Sequence, residues 1–163
     1  MKFIDTQHDP WHTVGGEDGP MSHPPCKSHS LLTLGQWHAV RESWSADKPV
    51  GVILPNDTDI EVLEADAPKL ALVVLNFPKW TDGRAYTQAH ILRKRYRFAG
   101  EIRATGDALV DMMPLMARTG FDAVALRADQ DRAAAERALG FFAARGHYQG
   151  DVQVAQPVFG RAA

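Results

Sequence analysis

Two aspartate–glycine turns, Asp82-Gly83-Arg84 and Thr105-Gly106-Asp107, bracket a helix-sized stretch carrying Arg93 and Arg97 and a strand-sized stretch carrying Arg103. Guanidinium groups grip planar oxyanions such as sulfate, phosphate or carboxylate through paired hydrogen bonds. A helix that starts just after either glycine adds backbone N–H donors to the same task. Residue type and spacing therefore make Asp82, Gly83, Arg84, Arg93, Arg103, Gly106 and Asp107 candidates for binding an anionic ligand. The carboxylates, with Asp111, are also of the type that does acid–base work, but that role needs a defined separation between them. The plainer alternative is that Asp82 and Asp107 cap helices while Arg93 to Arg97 form a solvated face.

Other chemistry is less well provided for. The run His23-Pro-Pro-Cys26-Lys-Ser-His29, with His8 and His12 upstream, holds zinc and copper ligand types at close spacing. It lacks a second ligand pair at zinc-finger spacing, so a metal-binding N-terminal arm stands as an alternative and no metal site is assigned. A single cysteine excludes an internal disulfide and an iron–sulfur cluster held by four thiolates of one chain. There is no GxxxxGK loop, no GxGxxG after a strand and no GxSxG elbow, so no cofactor is assigned.

The net charge of −2 gives no overall pull towards nucleic acid or an acidic membrane surface. Residues 1–80 carry 6 Lys and Arg against 11 Asp and Glu, whereas residues 81–163 carry 12 against 9, so basic character gathers in the C-terminal half. Trp37, Trp44, Trp80 and Tyr96 have no basic stripe beside them and read as core or interface aromatics rather than base-stacking platforms. No apolar run approaches the ~20 residues of a membrane span, and the N-terminus lacks a signal-peptide core, so a cytoplasmic protein is expected.

The elements that must position the two turns can be read in order. Residues 1–30, rich in Pro, Gly, His and Ser, form an extended arm that Phe3, Ile4 and Trp11 could tack onto the body. Residues 31–163 read as a single α/β domain. Ser30 to Trp44 has helical spacing, Val50 to Leu54 is a strand closed by Pro55-Asn56-Asp57, and Asp59 to Ala67 is a helix stopped by Pro68. Leu70 to Phe77 is the most continuous apolar run, as in a strand buried on both faces.

A helix over Ala85 to Phe98, a strand over Glu101 to Thr105 and a helix from Leu109 that Pro114 bends or restarts come next. After Gly120 come a strand over Phe121 to Leu126, a helix over Ala128 to Arg145 and a short edge strand near Asp151 to Ala155. This alternation predicts a mainly parallel sheet covered by helices, as an open sheet or a partial barrel. In either, the polar loops after the strands share one edge, where ligands usually bind.

The block FPKWTDGRAYTQAHILRKRYRFAGEIRATGDALVDMM, continuing to RTGFDAVALR, resembles a bacterial family of unknown function whose members often carry the label of oxidoreductases involved in sulfite reduction. The similarity extends to Asp9-Pro10-Trp11, to GVILPND at residues 51–57 and to His147-Tyr148-Gln149-Gly150. It adds Tyr86 to the candidate site, as part of the shared motif. Ala85, Thr87, His90, Met112 and Thr119 depart from the family pattern, and Thr119 stands where a cysteine is expected.

The resemblance implies a cytoplasmic role in sulfur assimilation. An oxidoreductase needs a thiol pair, a metal or an organic cofactor to hold electrons, and no motif for one is visible. An accessory protein is therefore expected, with the sulfite reductase hemoprotein or its electron donor as partner and a homo-oligomer left open. The competing expectation is a small enzyme or binding protein for a sulfur oxyanion, phosphate or carboxylate.

Overall fold

The computed structural model describes residues 1–5, 7–15, 21–140 and 152. Among them seven strands form one sheet: β1 (Lys2–Phe3), β2 (His12–Thr13), β3 (Ser30–Thr33), β4 (Val50–Leu54), β5 (Leu72–Phe77), β6 (Glu101–Gly106) and β7 (Ala123–Val124). Every pairing is parallel, and the spatial order is β1-β7-β6-β5-β4-β3-β2. From β2 to β7 the chain advances one strand at a time across an open, curled sheet of half-barrel form. The helices are α1 (Leu34–Val40), α2 (Arg84–Lys94), α3 (Met113–Thr119) and α4 (Arg132–Gly140).

The apolar run of β5 is continuous because both of its faces are covered. Val73, Leu75 and Phe77, with Ile102 and Ala104 of β6, share one core with Ala85, Ala89 and Leu92 of α2 and Met113 and Met116 of α3. Leu72 and Val74 alternate with these and point the other way. They are nonetheless buried.

The N-terminal arm supplies the cover. β1 lies beside β7 at one edge of the sheet and β2 beside β3 at the other, with only residues 4–11 between them. Arg103 alternates along β6 with the helix-facing Ile102 and Ala104, so it points to the helix-free face, where its guanidinium pairs with Asp9. The described residues between β1 and β2 therefore cross that face. A second tie is Gln36, which closes a capping box with Thr33 at the start of α1 and donates through Nε2 to the carbonyls of Val14 (3.0 Å) and Met21 (2.9 Å).

Several expected elements are shorter or different. Ser30–Thr33 pairs with β4 as a strand, and the helix begins only after its Thr33 cap. The helix expected over 59–67 is two 3-10 turns, Ile60–Leu63 and Ala67–Lys69. Pro68 has no N–H to extend a helix and restricts the residue before it. Helix α2 stops at Lys94 because Arg97 takes a left-handed φ of 55° and the Phe98 N–H closes back on the Leu92 carbonyl at 2.9 Å.

Pro114 sits in the first turn of α3, following a 3-10 turn at Val110–Met112, so it restarts the helix there. At its end Gly120 has φ +110°, and a Cβ at that position would lie 2.5 Å from Cγ of Arg93. The seventh strand spans Ala123–Val124 alone, and the last helix is described from Arg132 to Gly140. The edge strand expected near 151–155 falls outside the described residues, apart from Val152. Among the described residues no helix is long and apolar enough to cross a membrane.

Candidate functional site

In a parallel sheet every strand delivers its C-terminal loop to the same edge. Here that edge is a rim built from residues 55–58 after β4, 78–83 after β5, Asp107 after β6 and 125–131 after β7. Side chains tie the loops to one another. Nδ2 of Asn56 donates to Oδ2 of Asp82 at 2.7 Å, joining the first loop to the second. The backbone N–H of Trp80 donates to Oδ2 of Asp107 at 3.0 Å, joining the second to the third. Nη1 of Arg127 donates to Oδ1 of Asp107 at 2.6 Å, joining the third to the fourth.

Within this rim Asp82 and Arg84 form a two-pronged pair, with Nε to Oδ1 at 3.0 Å and Nη2 to Oδ2 at 2.7 Å. Oδ1 also accepts from the Arg84 N–H at 3.3 Å, which closes part of the first turn of α2, where the Gly83 cap has no side chain. Arg127 makes a second such fork to Asp129, with distances of 2.6 and 2.7 Å.

The electrostatic consequence is uniform. The Arg84 guanidinium holds the Asp82 carboxyl far below its ordinary 3.8, assisted by the Arg84 N–H and Asn56. Asp107 is lowered by Arg127 and then by the Trp80 N–H, and Asp129 is lowered to about 2, chiefly by Arg127. Each carboxylate is thus an internal anion occupying a guanidinium.

Asp82, Gly83, Arg84, Gly106 and Asp107 therefore stand on one rim. Gly106 has φ +86°, and a Cβ there would lie 2.4 Å from both Oδ1 of Asn76 and the Phe77 carbonyl, so the turn that delivers Asp107 requires glycine. Tyr86 stands behind the rim, its ring edge-on to Phe77 at 5.0 Å and to Phe121 at 6.3 Å. Burial pushes its hydroxyl pKa up.

Arg93 and Arg103 are elsewhere. Arg93 lies near the C-terminal end of α2, where it donates to the carbonyls of Gly120 (3.1 Å) and Gly100 (2.9 Å), to that of Phe98 and to Asp122. Arg103 is mid-strand on the helix-free face, held by Asp9 and by Glu101, to which Nε donates at 2.9 Å. Asp111 is exposed beside α4 rather than on the rim.

Sequence reasoning missed Arg127 and Asp129 as site residues. The signal was present, since Arg127-Ala-Asp129 follows the β7 run and so belongs to the same edge by the same rule. Of the two readings of Trp80, core or interface aromatic, its 58% exposure on the rim removes the first. In the N-terminal arm His8 pairs with Asp5 at 2.7 Å and His29 stacks edge-on against Trp11. Among the described residues no three His, Cys, Asp or Glu side chains group as a metal site requires.

Beside the Asp82–Arg84 pair lies a shallow hollow of about 370 Å³, lined by Thr58, Arg84, Thr87 and Gln88 among others. Nε2 of Gln88 donates to the carbonyls of Pro55 (3.1 Å) and Thr58 (2.9 Å), which fixes the wall of the hollow against α2. The rim thus presents paired charges, an exposed indole and a small recess beside Arg84 on one sheet edge.

No curated protein matches the chain closely enough to count as a relative. Residues 51–159, about two thirds of the chain, match the family described as "Bacterial protein of unknown function (DUF934)", a span that takes in the rim from Asn56 to Asp129. The chain belongs to that bacterial family.

Proposed function

We propose that the protein is an accessory component of assimilatory sulfite reduction that docks through its rim onto the sulfite reductase hemoprotein or the electron donor of that enzyme. The observation that carries the docking reading is Trp80, 58% exposed and anchored by its N–H to Asp107 between two arginine–aspartate pairs. An exposed tryptophan on a tethered loop, with arginines on the same rim, has the composition of an interface hot spot. The pathway rests on the resemblance of the DGR, LRKR, GEIRATGD and GFDA segments to proteins labelled with sulfite reduction. The test is co-purification of the tagged protein with the hemoprotein, together with growth of a deletion strain on sulfate alone. Absence of both binding and a sulfate-dependent growth defect would reject the reading.

A second reading, binding of a small oxyanion in the hollow beside Arg84, is favoured by one observation: the first turn of α2 has no side-chain cap at Gly83. It ranks below docking because Asp82 already fills the guanidinium fork of Arg84, and an incoming anion must displace a tethered carboxylate that stays ionised. Titration calorimetry with sulfate and phosphate decides it, binding being lost in Arg84→Ala.

A further inference from the structure

The opposite edge of the sheet holds a cleft that neither reading uses. It measures about 570 Å³, within the ~300–1,000 Å³ usual for small-molecule sites, and opens between the end of α1, the loop before β4 and the loop before β5. Its lining includes Trp37, Trp44, Arg41, Lys48 and Lys69, with Glu42 as the opposing charge. Counting Asp66 beneath the lining, three cations stand against two carboxylates, an excess of one positive charge, and Arg41 already pairs with Glu42 at 3.5 Å, which leaves Lys48 and Lys69 as the cations most open to a ligand.

The lining is held in place from behind. Asp66 is buried beneath it and accepts from Nε1 of Trp37 at 3.0 Å and from Nη1 of Arg41 at 3.0 Å, with Nζ of Lys69 at 4.0 Å. Trp37 and Trp44 meet edge-on with centroids 6.3 Å apart, and Nε1 of Trp44 donates to the Lys48 carbonyl at 2.9 Å. The half-buried Trp44 therefore has a fixed orientation in the wall. At the end of α1 the Trp37 and Val40 carbonyls accept from the N–H groups of Arg41 and Ser43.

We infer that this cleft binds a small planar anion, an aromatic or heteroaromatic ring bearing a carboxylate or phosphate, with the ring against Trp44 and the anionic group between Arg41, Lys48 and Lys69. An aromatic wall supplies area and an ordered orientation, and the cations supply the charge-assisted hydrogen bonds. The site is independent of the rim and of the partner proposed there.

The test is a titration of the 15N-labelled full chain with 2-naphthoate, read on the indole N–H signals of its four tryptophans. Saturable shifts of the Trp44 and Trp37 signals are expected, while Trp80 at the other edge stays in place. Lys69→Ala and Lys48→Ala, which leave the Asp66–Arg41–Trp37 cluster intact, should each weaken binding by about fivefold or more, as loss of a charged contact does. The neutral 2-naphthaleneethanol should bind more weakly than the acid. No saturable shift of Trp44, equal shifts of Trp80, or affinity unchanged in both lysine variants would overturn the inference.

Discussion

The backbone N–H of Trp80 donates to Oδ2 of Asp107 at 3.0 Å, so the loop after β5 is held by the turn after β6. Because Oδ1 of the same carboxylate accepts from Arg127, one side chain ties the Trp80 backbone to the loop after β7. Asp107→Ala should therefore speed hydrogen exchange at the Trp80 amide and shift its indole signal, while the melting temperature changes by only a few degrees, as substitutions outside the core do. An unchanged exchange rate at Trp80 would mean that the loop is held by something else.

The rim carboxylates set an acid limit. A carboxylate whose pKa is depressed in the folded state stabilises that state above its unfolded value and loses the contribution as pH falls through the folded value. Asp82, Asp107 and Asp129 are all lowered from 3.8, Asp129 to about 2, so their contribution is complete above about pH 4 and declines below it. Carboxyl carbon shifts followed by NMR should show all three more ionised at pH 3.8 than an unperturbed aspartate, which is half protonated there. Midpoints at the ordinary value would contradict the pairing.

Arg103 serves the covering of the sheet. Removing Asp9 leaves a buried guanidinium with Glu101 as its remaining carboxylate, which should cost about 2–3 kcal/mol, less than the full loss of a buried pair. Asp9→Ala should also expose the segment around Asp9 to proteolysis. The double variant Asp9→Ala/Arg103→Met should be less destabilised than the sum of the two single changes, by coupling of about 1 kcal/mol or more. Additive denaturation free energies would show that the arm is held without this pair.

Arg93 is tied to structure in the same way. Its guanidinium satisfies three backbone carbonyls and Asp122, fastening α2 to the start of β6 and the end of α3. Arg93→Ala should destabilise the fold by about 2–4 kcal/mol, as acceptors are left unpaired. Urea denaturation measures this directly, and a loss below ~1 kcal/mol would return Arg93 to the solvated face expected from the sequence.

Much of the frame was legible because its signals are local. The run LALVVLNF announces a doubly buried strand, and the Asp82-Gly83 and Gly106-Asp107 turns mark where strands hand over to the rim. What was hidden depends on distant partners. Arg103 looks like a ligand residue until Asp9, from the far end of the chain, is seen beneath the sheet. The two-residue strands β1 and β2 carry too little periodicity to be read, since neighbours in the sheet define them. Among the acidic residues near Pro68, Asp66 turns inward to Trp37 and Arg41, a role that spacing does not reveal.

The most direct measurement is the affinity of the purified protein for the sulfite reductase hemoprotein, compared between the wild-type chain and Trp80→Ala. Docking through the rim gives saturable binding that weakens about 30-fold or more when the indole is removed, the scale of a 2 kcal/mol hot spot. Equal affinity of the two chains, or no binding by a folded wild-type protein to either the hemoprotein or its electron donor, would contradict it.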